Sequence, residues 1–344
     1  MYHPLKVSQI DRLTSKSVCL TLEIPDSLKD SFQFLAGQYL SLEETIEGEN
    51  IRRSYSICSA PSEGKLQVGV KQIPNGRFSS FVNQQIGVGS ILSAAVPEGR
   101  FVLGAVKEEK NYVGIAAGSG ITPILSIAKE VLHTSSSSSF YLIYGNRSIE
   151  DEMFTSKIDT LKLNFSERFT IIRTYSQKQE SDAAFGRIGQ LHLEQLVENG
   201  GLNAESFFLC GPEGMINTAS AFLMEKGILD SKINHELFTA SSKKTETAAV
   251  NGAFTMQLTC DDVTTNLEGA EGKTVLDVAL QNKLDVPYSC QGGVCSSCIA
   301  KVTEGHARMT TNQILTNGEI AEGLILSCQA HPTTANIAVD FDDI

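Results

Sequence analysis

The sequence predicts three modules in a row: an antiparallel β-barrel, a doubly wound α/β domain, and a smaller α+β module carrying a cluster of cysteines. Three observations lead there. Residues 1–107 hold short alternating apolar runs separated by Gly, Pro, Asn and Glu; from about Asn111 the runs become continuous and alternate with helical stretches; and the last ninety residues contain four closely spaced cysteines. A chain of 344 residues suits two or three domains of roughly 100–150 residues each.

In the first module, Ser17 to Pro25 alternates Val18, Leu20, Leu22 and Ile24, the pattern of a half-buried strand. Further strands are expected at Gln38–Thr45, Arg53–Ser59, Lys65–Ile73 and Ser90–Val96. Short strands at this spacing predict an antiparallel barrel. One helix interrupts them, with Phe78, Phe81, Val82 and Ile86 on a single face.

In the second module, Tyr112–Ala116, Phe140–Tyr144, Phe169–Thr174 and Ser206–Cys210 read as parallel strands buried on both faces. Helices are expected at Pro123–His133, Asp151–Leu161 and Ile188–Asn199. This βαβα alternation predicts a doubly wound domain over residues 108–238. The serine run Ser135–Ser139 reads as a flexible surface turn. A polar stretch without aromatics, Thr239–Gly252, reads as a linker. In the third module, residues 253–344, Phe254, Met256 and Leu258 alternate into a hairpin at Asp261-Asp262; Thr274–Leu284 looks helical, and Asn336–Asp340 closes as a strand.

A net charge of −12 argues against nucleic acid, whose phosphates select basic surfaces. Residues 253–344 hold 12 Asp and Glu against 4 Lys and Arg, a net of −8. Such a module suits electrostatic docking to a basic patch on a protein partner. The N-terminal residues lack a basic start followed by an apolar run. The most apolar window, Tyr112–Ala128, is broken by Gly118, Gly120 and Pro123, short of a membrane span. A cytoplasmic protein with no membrane partner is expected, and its cysteines are therefore not expected to form disulfides.

Cys290, Cys295 and Cys298 are spaced C-x4-C-x2-C, with 29 residues between Cys298 and Cys328. An iron–sulfur cluster needs four thiolates converging on a compact core. Three ligands on one loop need a chain that turns repeatedly, which Gly292, Gly293 and the Ser296-Ser297 pair provide. Zinc sites usually pair two short hooks, whereas here one loop gives three ligands and the fourth stands alone. Buried structural thiols rarely cluster this way. None of the six histidines pairs at metal-ligand spacing. Cys19, Cys58 and Cys260 read as strand packing.

The segment Tyr288–Cys298, with Leu326-Ser327-Cys328-Gln329-Ala330, resembles a plant-type ferredoxin domain over roughly the last quarter of the chain. That resemblance implies a β-grasp fold and a 2Fe–2S cluster held by Cys290, Cys295, Cys298 and Cys328. Upstream, Arg53-Ser54-Tyr55-Ser56 resembles the R-x-Y-S flavin motif of the ferredoxin–NADP reductase superfamily. Arg offers a fork of donors for phosphate, Tyr a flat ring for the isoalloxazine and Ser a hydroxyl for flavin N5. Gly76-Arg77-Phe78-Ser79 opens a helix whose free N–H groups suit the pyrophosphate of FAD. Val70 and Lys71, at the end of the preceding strand, join this FAD set by the same resemblance.

Gly118-Ser119-Gly120-Ile121-Thr122-Pro123 follows the first buried strand and opens a helix, where glycines let a dinucleotide approach the backbone. A tight βα turn needs glycine on its own account, so this turn gains meaning from its sequels: Cys210-Gly211-Pro212 after a later strand, and Glu236-Leu237-Phe238 at the module's end. In the superfamily these turns flank the nicotinamide. The resemblance implies that Thr122 and Cys210 lie near its ring, and that Glu236 and Phe238 lie by the flavin with Ser56. Arg147 and Ser176 are implied at the 2′-phosphate of NADPH; Gln177-Lys178 stands where some members pair an Arg with Ser, and either Arg147 or Lys178 can take that Arg's place.

Hydride transfer delivers two electrons and a 2Fe–2S cluster accepts one, a mismatch that a flavin bridges. The whole resemblance therefore implies a reductase running from NADPH (or NADH) through FAD to 2Fe–2S and on to an electron-accepting protein, a multisubunit oxygenase. Within the superfamily the chain is most similar to the reductase subunits of phenylacetyl-CoA epoxidase, on Gly145-Asn146-Arg147, Ser176-Gln177, Gly76–Ser79 and Val339-Asp340-Phe341-Asp342. Another acceptor remains open: a hybrid-cluster protein, a desaturase or a demethylase. A cluster-bearing redox sensor that borrows the fold is disfavoured by the complete series of flavin and nicotinamide motifs.

Overall fold

A computed structural model describes residues 2–238 and 252–344. The expected linker thus lies outside the described residues, apart from Gly252. The chain divides after Phe238 into two compact units. Among the described residues no helix is long and apolar enough to cross a membrane.

The first unit opens with strands β1 (Tyr2–Thr14), β2 (Ser17–Glu23), β3 (Tyr39–Ile46), β4 (Glu49–Ser56) and β5 (Leu66–Lys71). Helix α1 (Arg77–Gln84) and strand β6 (Ile91–Ala95) follow. They form an antiparallel sheet in the order β4-β3-β6-β1-β2-β5. The segment after β4 bends over β5, where the Cys58 N–H donates to the Gln67 carbonyl (2.8 Å) and Ile57 bridges Val68. That contact joins the two edge strands and closes the barrel. Leu5, Val7, Leu20, Leu40, Val68 and Leu92 fill it, with Phe78 and Val82 of α1 capping the core.

Next come β7 (Asn111–Ala117), α2 (Ile121–Thr134), β8 (Ser139–Asn146), α3 (Thr155–Asn164), β9 (Phe169–Tyr175), β10 (Ala184–Phe185), α4 (Gln190–Glu198), β11 (Ser206–Cys210), α5 (Glu213–Glu225) and β12 (Ile233–Glu236). The sheet is parallel throughout, ordered β10-β9-β8-β7-β11-β12. Its core is shared with the barrel: Cys19, Ala36, Cys58, Phe101 and Leu103 pack in one cluster with Ile121, Leu125 and Phe208. Barrel and α/β sheet therefore behave as one body.

Two expectations are corrected here. The helix expected from Asp151 starts at Thr155, because Phe154 takes a left-handed backbone (φ 64°) and cannot continue a helix. The serine run is anchored rather than loose. Ser135 and Ser138 are buried, and the Ser135 hydroxyl (2.6 Å) and Ser137 N–H (3.1 Å) both donate to Glu108. The Ser135 and Ser137 hydroxyls hold that carboxyl down at about 2. The Arg168 guanidinium donates to the Ser135 and Ser138 carbonyls from the other side.

The second unit contains β13 (Phe254–Cys260), β14 (Val263–Gly269), α6 (Val275–Gln281), β15 (Ile299–Glu304), β16 (Ala307–Met309), α7 (Asn317–Ala321), β17 (Leu324–Leu326), β18 (Ala330–Pro332) and β19 (Asn336–Asp340). The main sheet is mixed, β14-β13-β19-β15-β17, with β13 and β19 parallel at its centre. Helix α6 lies on it through Val275, Leu276, Val278 and Ala279. Thr274 caps that helix, its hydroxyl accepting from the Asp277 N–H (3.0 Å) while the Asp277 carboxylate accepts from the Thr274 N–H (3.0 Å). This is the β-grasp arrangement.

Candidate functional site

The barrel contributes three strand or helix ends. At the end of β4, strand alternation puts Arg53 and Tyr55 on one face and Ser56 on the other. Arg53 is exposed and Ser56 is buried. The Tyr55 ring lies 5.8 Å from that of Phe78, tilted by 32°, and burial raises its hydroxyl pKa. At the end of β5, Val70 is fully buried and its carbonyl accepts from the Asn83 amide (3.2 Å). Lys71 is half-buried, and its ammonium is pushed down by burial, with the nearby Arg147 charge adding to the effect. At α1, Gly76 is the N-cap with no capping side chain, so the first N–H groups of the helix stay available to an anion. Ser79 braces this turn by accepting from the Ile73 N–H (3.2 Å) and donating to the Gly76 carbonyl (3.2 Å). Phe78 is buried. The Arg77 side chain does not join the group: it pairs with Glu49 and Glu47 and donates to the Ile46 carbonyl (2.9 Å), towards the β3–β4 hairpin.

The α/β sheet supplies the facing wall. Gly118 has a left-handed backbone (φ 56°) with open space where a Cβ would stand. Gly120 is needed for packing, since a Cβ there would overlap the Cys210 carbonyl. The two turns that lie ninety residues apart in sequence are thus pressed together, backbone to backbone. Gly211 completes the contact, its absent Cβ falling 3.2 Å from Ala117. Thr122 donates to the Ser119 carbonyl (3.0 Å), while a Cβ on Gly69 of β5 would lie 2.7 Å from its methyl. Pro123, in the first turn of α2, needs no N–H, and Pro212 caps α5.

Cys210 and Glu236 are register neighbours on β11 and β12. The Cys210 thiol is fully buried and pushed well up, by burial first and the Glu236 charge second. Burial also pushes the Glu236 carboxyl up to about 8, moderated by the Ser56 hydroxyl 3.5 Å away. Ser56 and Glu236 therefore meet across the seam between barrel and sheet. Phe238 follows at 39% exposure, beyond the buried Leu237. At the far side, the Ser176 N–H donates to the Asn146 carbonyl (3.0 Å) and the Gln177 N–H to the Arg147 carbonyl (2.9 Å), so Arg147 and Ser176 are neighbours. Lys178 is taken by Glu150 (2.9 Å) and Glu180 (3.2 Å). Sequence reasoning missed Glu152, a buried carboxylate held by Arg173 (3.0 Å) and the Tyr175 hydroxyl (2.5 Å) beneath this edge. Its signal was weak, because an acidic residue in a loop usually faces water.

In the second unit the four cysteines gather on one side of the core. The Cys298 thiol lies 3.3 Å from that of Cys328, and the Gly292 N–H points at Cys290 Sγ (3.3 Å). The Cys295 thiol, aided by the N–H groups of Gly292, Val294 and Cys295, holds the Cys290 thiol down at about 6. Cys328 is lowered by Cys298, then by the Gly293 N–H and the Gln329 amide. The loop turns through left-handed positions at Gln291 (φ 53°) and Gly293 (φ 72°). A Cβ on Gly293 would come within 2.8 Å of the Thr311 carbonyl. Four thiols ringed by inward-pointing N–H groups fit a 2Fe–2S cluster, whose sulfurs need such donors. The other thiols lie elsewhere. Cys19 and Cys58 pack in the shared core with sulfurs 3.8 Å apart, and Cys260 sits half-buried at the β13–β14 turn.

Family profiles match the chain in the same order: an oxidoreductase FAD-binding domain over residues 4–103, an oxidoreductase NAD-binding domain over 115–221 and a 2Fe-2S iron-sulfur cluster binding domain over 258–333. The chain is 37% identical to a subunit of the 1,2-phenylacetyl-CoA epoxidase of Escherichia coli (strain K12), across 99% of this chain and 98% of that one. It is 28% identical to the ferredoxin reductase component of 3-ketosteroid-9-alpha-monooxygenase of Rhodococcus rhodochrous, across 98% and 96%. Among solved structures, phthalate dioxygenase reductase shares the fold with a TM-score of 0.63 at 23% identity, over 99% of this chain and 98% of that one. The chain belongs, with that epoxidase subunit, to the ferredoxin–NADP reductase-type oxidoreductases with a C-terminal 2Fe–2S domain, and passes electrons from NAD(P)H through FAD to its cluster.

Proposed function

We propose that this chain is the reductase component of an oxygenase system of the phenylacetyl-CoA epoxidase type, drawing on NADPH and supplying electrons to a metal-containing, multisubunit oxygenase. The observation that carries the reading is the 37% identity over 99% of this chain and 98% of that epoxidase subunit.

When bound, FAD would supply the exchange between the electron pair of a hydride and the single electrons that a 2Fe–2S cluster accepts. The protein's part is positioning. Arg53, Tyr55, Val70, Lys71 and the Gly76–Ser79 turn hold the flavin, with Arg77 contributing its backbone N–H. Gly118, Gly120, Thr122, Pro123, Cys210, Gly211 and Pro212 seat the nicotinamide against it. Glu236 remains protonated through neutral pH and stands 3.5 Å from the Ser56 hydroxyl. The pair can supply or take up the proton that accompanies two-electron reduction. The neutral, buried Cys210 thiol adds an apolar wall, and Phe238 an aromatic face. Cys290, Cys295, Cys298 and Cys328 ligate the cluster. NADPH is favoured over NADH through Arg147, exposed beside Ser176 with Lys178 engaged by two carboxylates.

The test is reconstitution. The purified reductase, mixed with the oxygenase subunits of a phenylacetyl-CoA epoxidase, should support NADPH-dependent epoxidation of phenylacetyl-CoA. Flavin reduction by NADPH without product, under conditions where the Escherichia coli counterpart gives product, would refute the partner and leave the reductase chemistry standing.

A further inference from the structure

The described residues contain one buried side-chain amide with neither polar atom satisfied. Asn146, 8% exposed, has no partner for Nδ2 or Oδ1 at hydrogen-bonding geometry. It is the last residue of β8, between β7 and β9, and its carbonyl already accepts from the Ser176 N–H (3.0 Å). Strand alternation puts its side chain on the same face as Tyr144. The Tyr144 hydroxyl donates to the Gly118 carbonyl (3.1 Å) and accepts from the Met153 N–H (3.2 Å). The Asn146 side chain reaches that hydroxyl only as a loose hydrogen bond, its N–H side towards the oxygen, which tempers the rise that burial gives the hydroxyl's pKa and leaves Oδ1 with no donor at all. It therefore stands beside the Gly118 turn, one residue before Arg147.

A buried amide left unpaired destabilises a fold, and such groups are rare unless something completes them. Leucine, of nearly the same shape, would fill the space without that cost. Residues that break a local rule in this way tend to mark functional sites. We propose that Asn146 is a coenzyme-binding residue whose amide exchanges hydrogen bonds with a ribose hydroxyl that NADPH and NADH share. The inference rests on reading the carboxyl end of this sheet as the dinucleotide crevice. A ribose hydroxyl both donates and accepts, so it can satisfy Oδ1 and Nδ2 together. A phosphate only accepts and would leave Oδ1 unpaired. The phosphates have other partners at hand: Arg147 and Lys71 lie close enough for their charges to interact. A dinucleotide running from the Gly118 turn to Arg147 has to pass Asn146.

The experiment uses the flavin-loaded, full-length protein and the variants Asn146→Leu and Asn146→Ala. The melting temperature is measured without coenzyme, and the dissociation constants of NADP+ and NAD+ by titration. The leucine variant is expected to melt at the wild-type temperature or about 2–4 °C higher, the shift of one relieved polar group in a unit of this size. Both variants should bind NADP+ and NAD+ roughly tenfold more weakly. Unchanged dissociation constants would overturn the inference, as would a lowered melting temperature in both variants, which would show that the amide is satisfied in the free chain. Weakened NADP+ with unchanged NAD+ would assign Asn146 to the 2′-phosphate and equally overturn it. Failure of the wild type to bind either dinucleotide would overturn the crevice reading itself, and this inference with it.

Discussion

Replacing Glu236 by glutamine should flatten the pH dependence of the flavin unit's stability. Burial pushes the Glu236 carboxyl up to about 8 in the folded protein, against roughly 4.3 in an unfolded chain. A raised folded-state pKa means that the folded form holds a proton which the unfolded form has already released. The contribution of Glu236 is then fully present below about pH 4 and declines as pH rises, until the folded carboxyl itself ionises near 8. Between those limits stability falls by about 1.4 kcal/mol per pH unit from this one group. For a unit of about two hundred residues that is roughly 3–6 °C per pH unit in melting temperature. Glu236 as a residue keeps partial exposure, so screening by water makes these upper figures. Glutamine keeps the shape and the contact with Ser56 and cannot ionise. The assay is thermal release of flavin fluorescence from the full-length holoprotein at pH 5, 6, 7 and 8. Wild type should lose ground to Glu236→Gln steadily from pH 5 to pH 8. Parallel profiles for the two proteins would refute the assignment of a buried, protonated Glu236.

Serine at Cys328 should split the reaction. Iron content and transfer to cluster-dependent acceptors should collapse while NADPH–ferricyanide activity, taken directly from the flavin, persists; full iron with a normal visible spectrum would show that Cys328 is not a ligand. Arg147→Ala should raise KM for NADPH about tenfold or more, the worth of a charge-assisted hydrogen bond, and leave KM for NADH unchanged; equal effects on both would remove Arg147 from the 2′-phosphate. Gly120→Ala should cost about 1–3 kcal/mol and slow flavin reduction by NADPH, because a Cβ there overlaps the Cys210 carbonyl; an unperturbed melting temperature would mean the two turns are not in contact. Electron delivery to the oxygenase should weaken with salt, since residues 253–344 carry a net of −8 and exposed charges are screened over about 8 Å at physiological ionic strength; a rate independent of salt would argue against docking by charge.

Much of the fold could be read from the periodicity of the chain, and what could not has particular causes. Strand β2 showed itself because Val18, Leu20 and Leu22 alternate cleanly. Strand β1, twice as long, did not. Its register shifts between Val7 and Gln9 and again between Arg12 and Thr14, and each bulge breaks the alternation that marks a strand. Strand β12 buries little beyond Ile233 over four residues and offers no pattern to detect. Helix α5 buries Ile216, Ala219, Phe222 and Leu223 on one face, but Asn217, Thr218 and Ser220 dilute the apolar stripe. The serine run misled for another reason. Its composition is that of a loose linker, and only the tertiary partners Glu108 and Arg168 tie it down.

The site divides along the same physical line. Gly118, Gly120, Gly211 and Gly293 could be singled out from sequence, because a backbone that must approach another backbone or a ligand tolerates almost nothing else. The cysteines were legible because their spacing has few competing uses. What a charged or polar side chain does at the site was not legible, since that depends on what folds against it. Arg77 sits in a turn that the sequence leads one to expect at a phosphate, yet its guanidinium is drawn off by Glu47 and Glu49, two acids in a hairpin about thirty residues upstream. Glu236 would be an ordinary carboxylate on an exposed strand; it becomes an acid near pH 8 because β12 is laid beside β11 and covered by the barrel at Ser56. The contact of Gly120 with Cys210 is what makes this possible. It fixes β7 and β11 side by side at their carboxyl ends, β12 follows β11, and only then does Glu236 arrive opposite the flavin strand. The motif glycines thus set the strand register that gives the acid its proton, and Gly118 leaves open the space proposed above for the coenzyme.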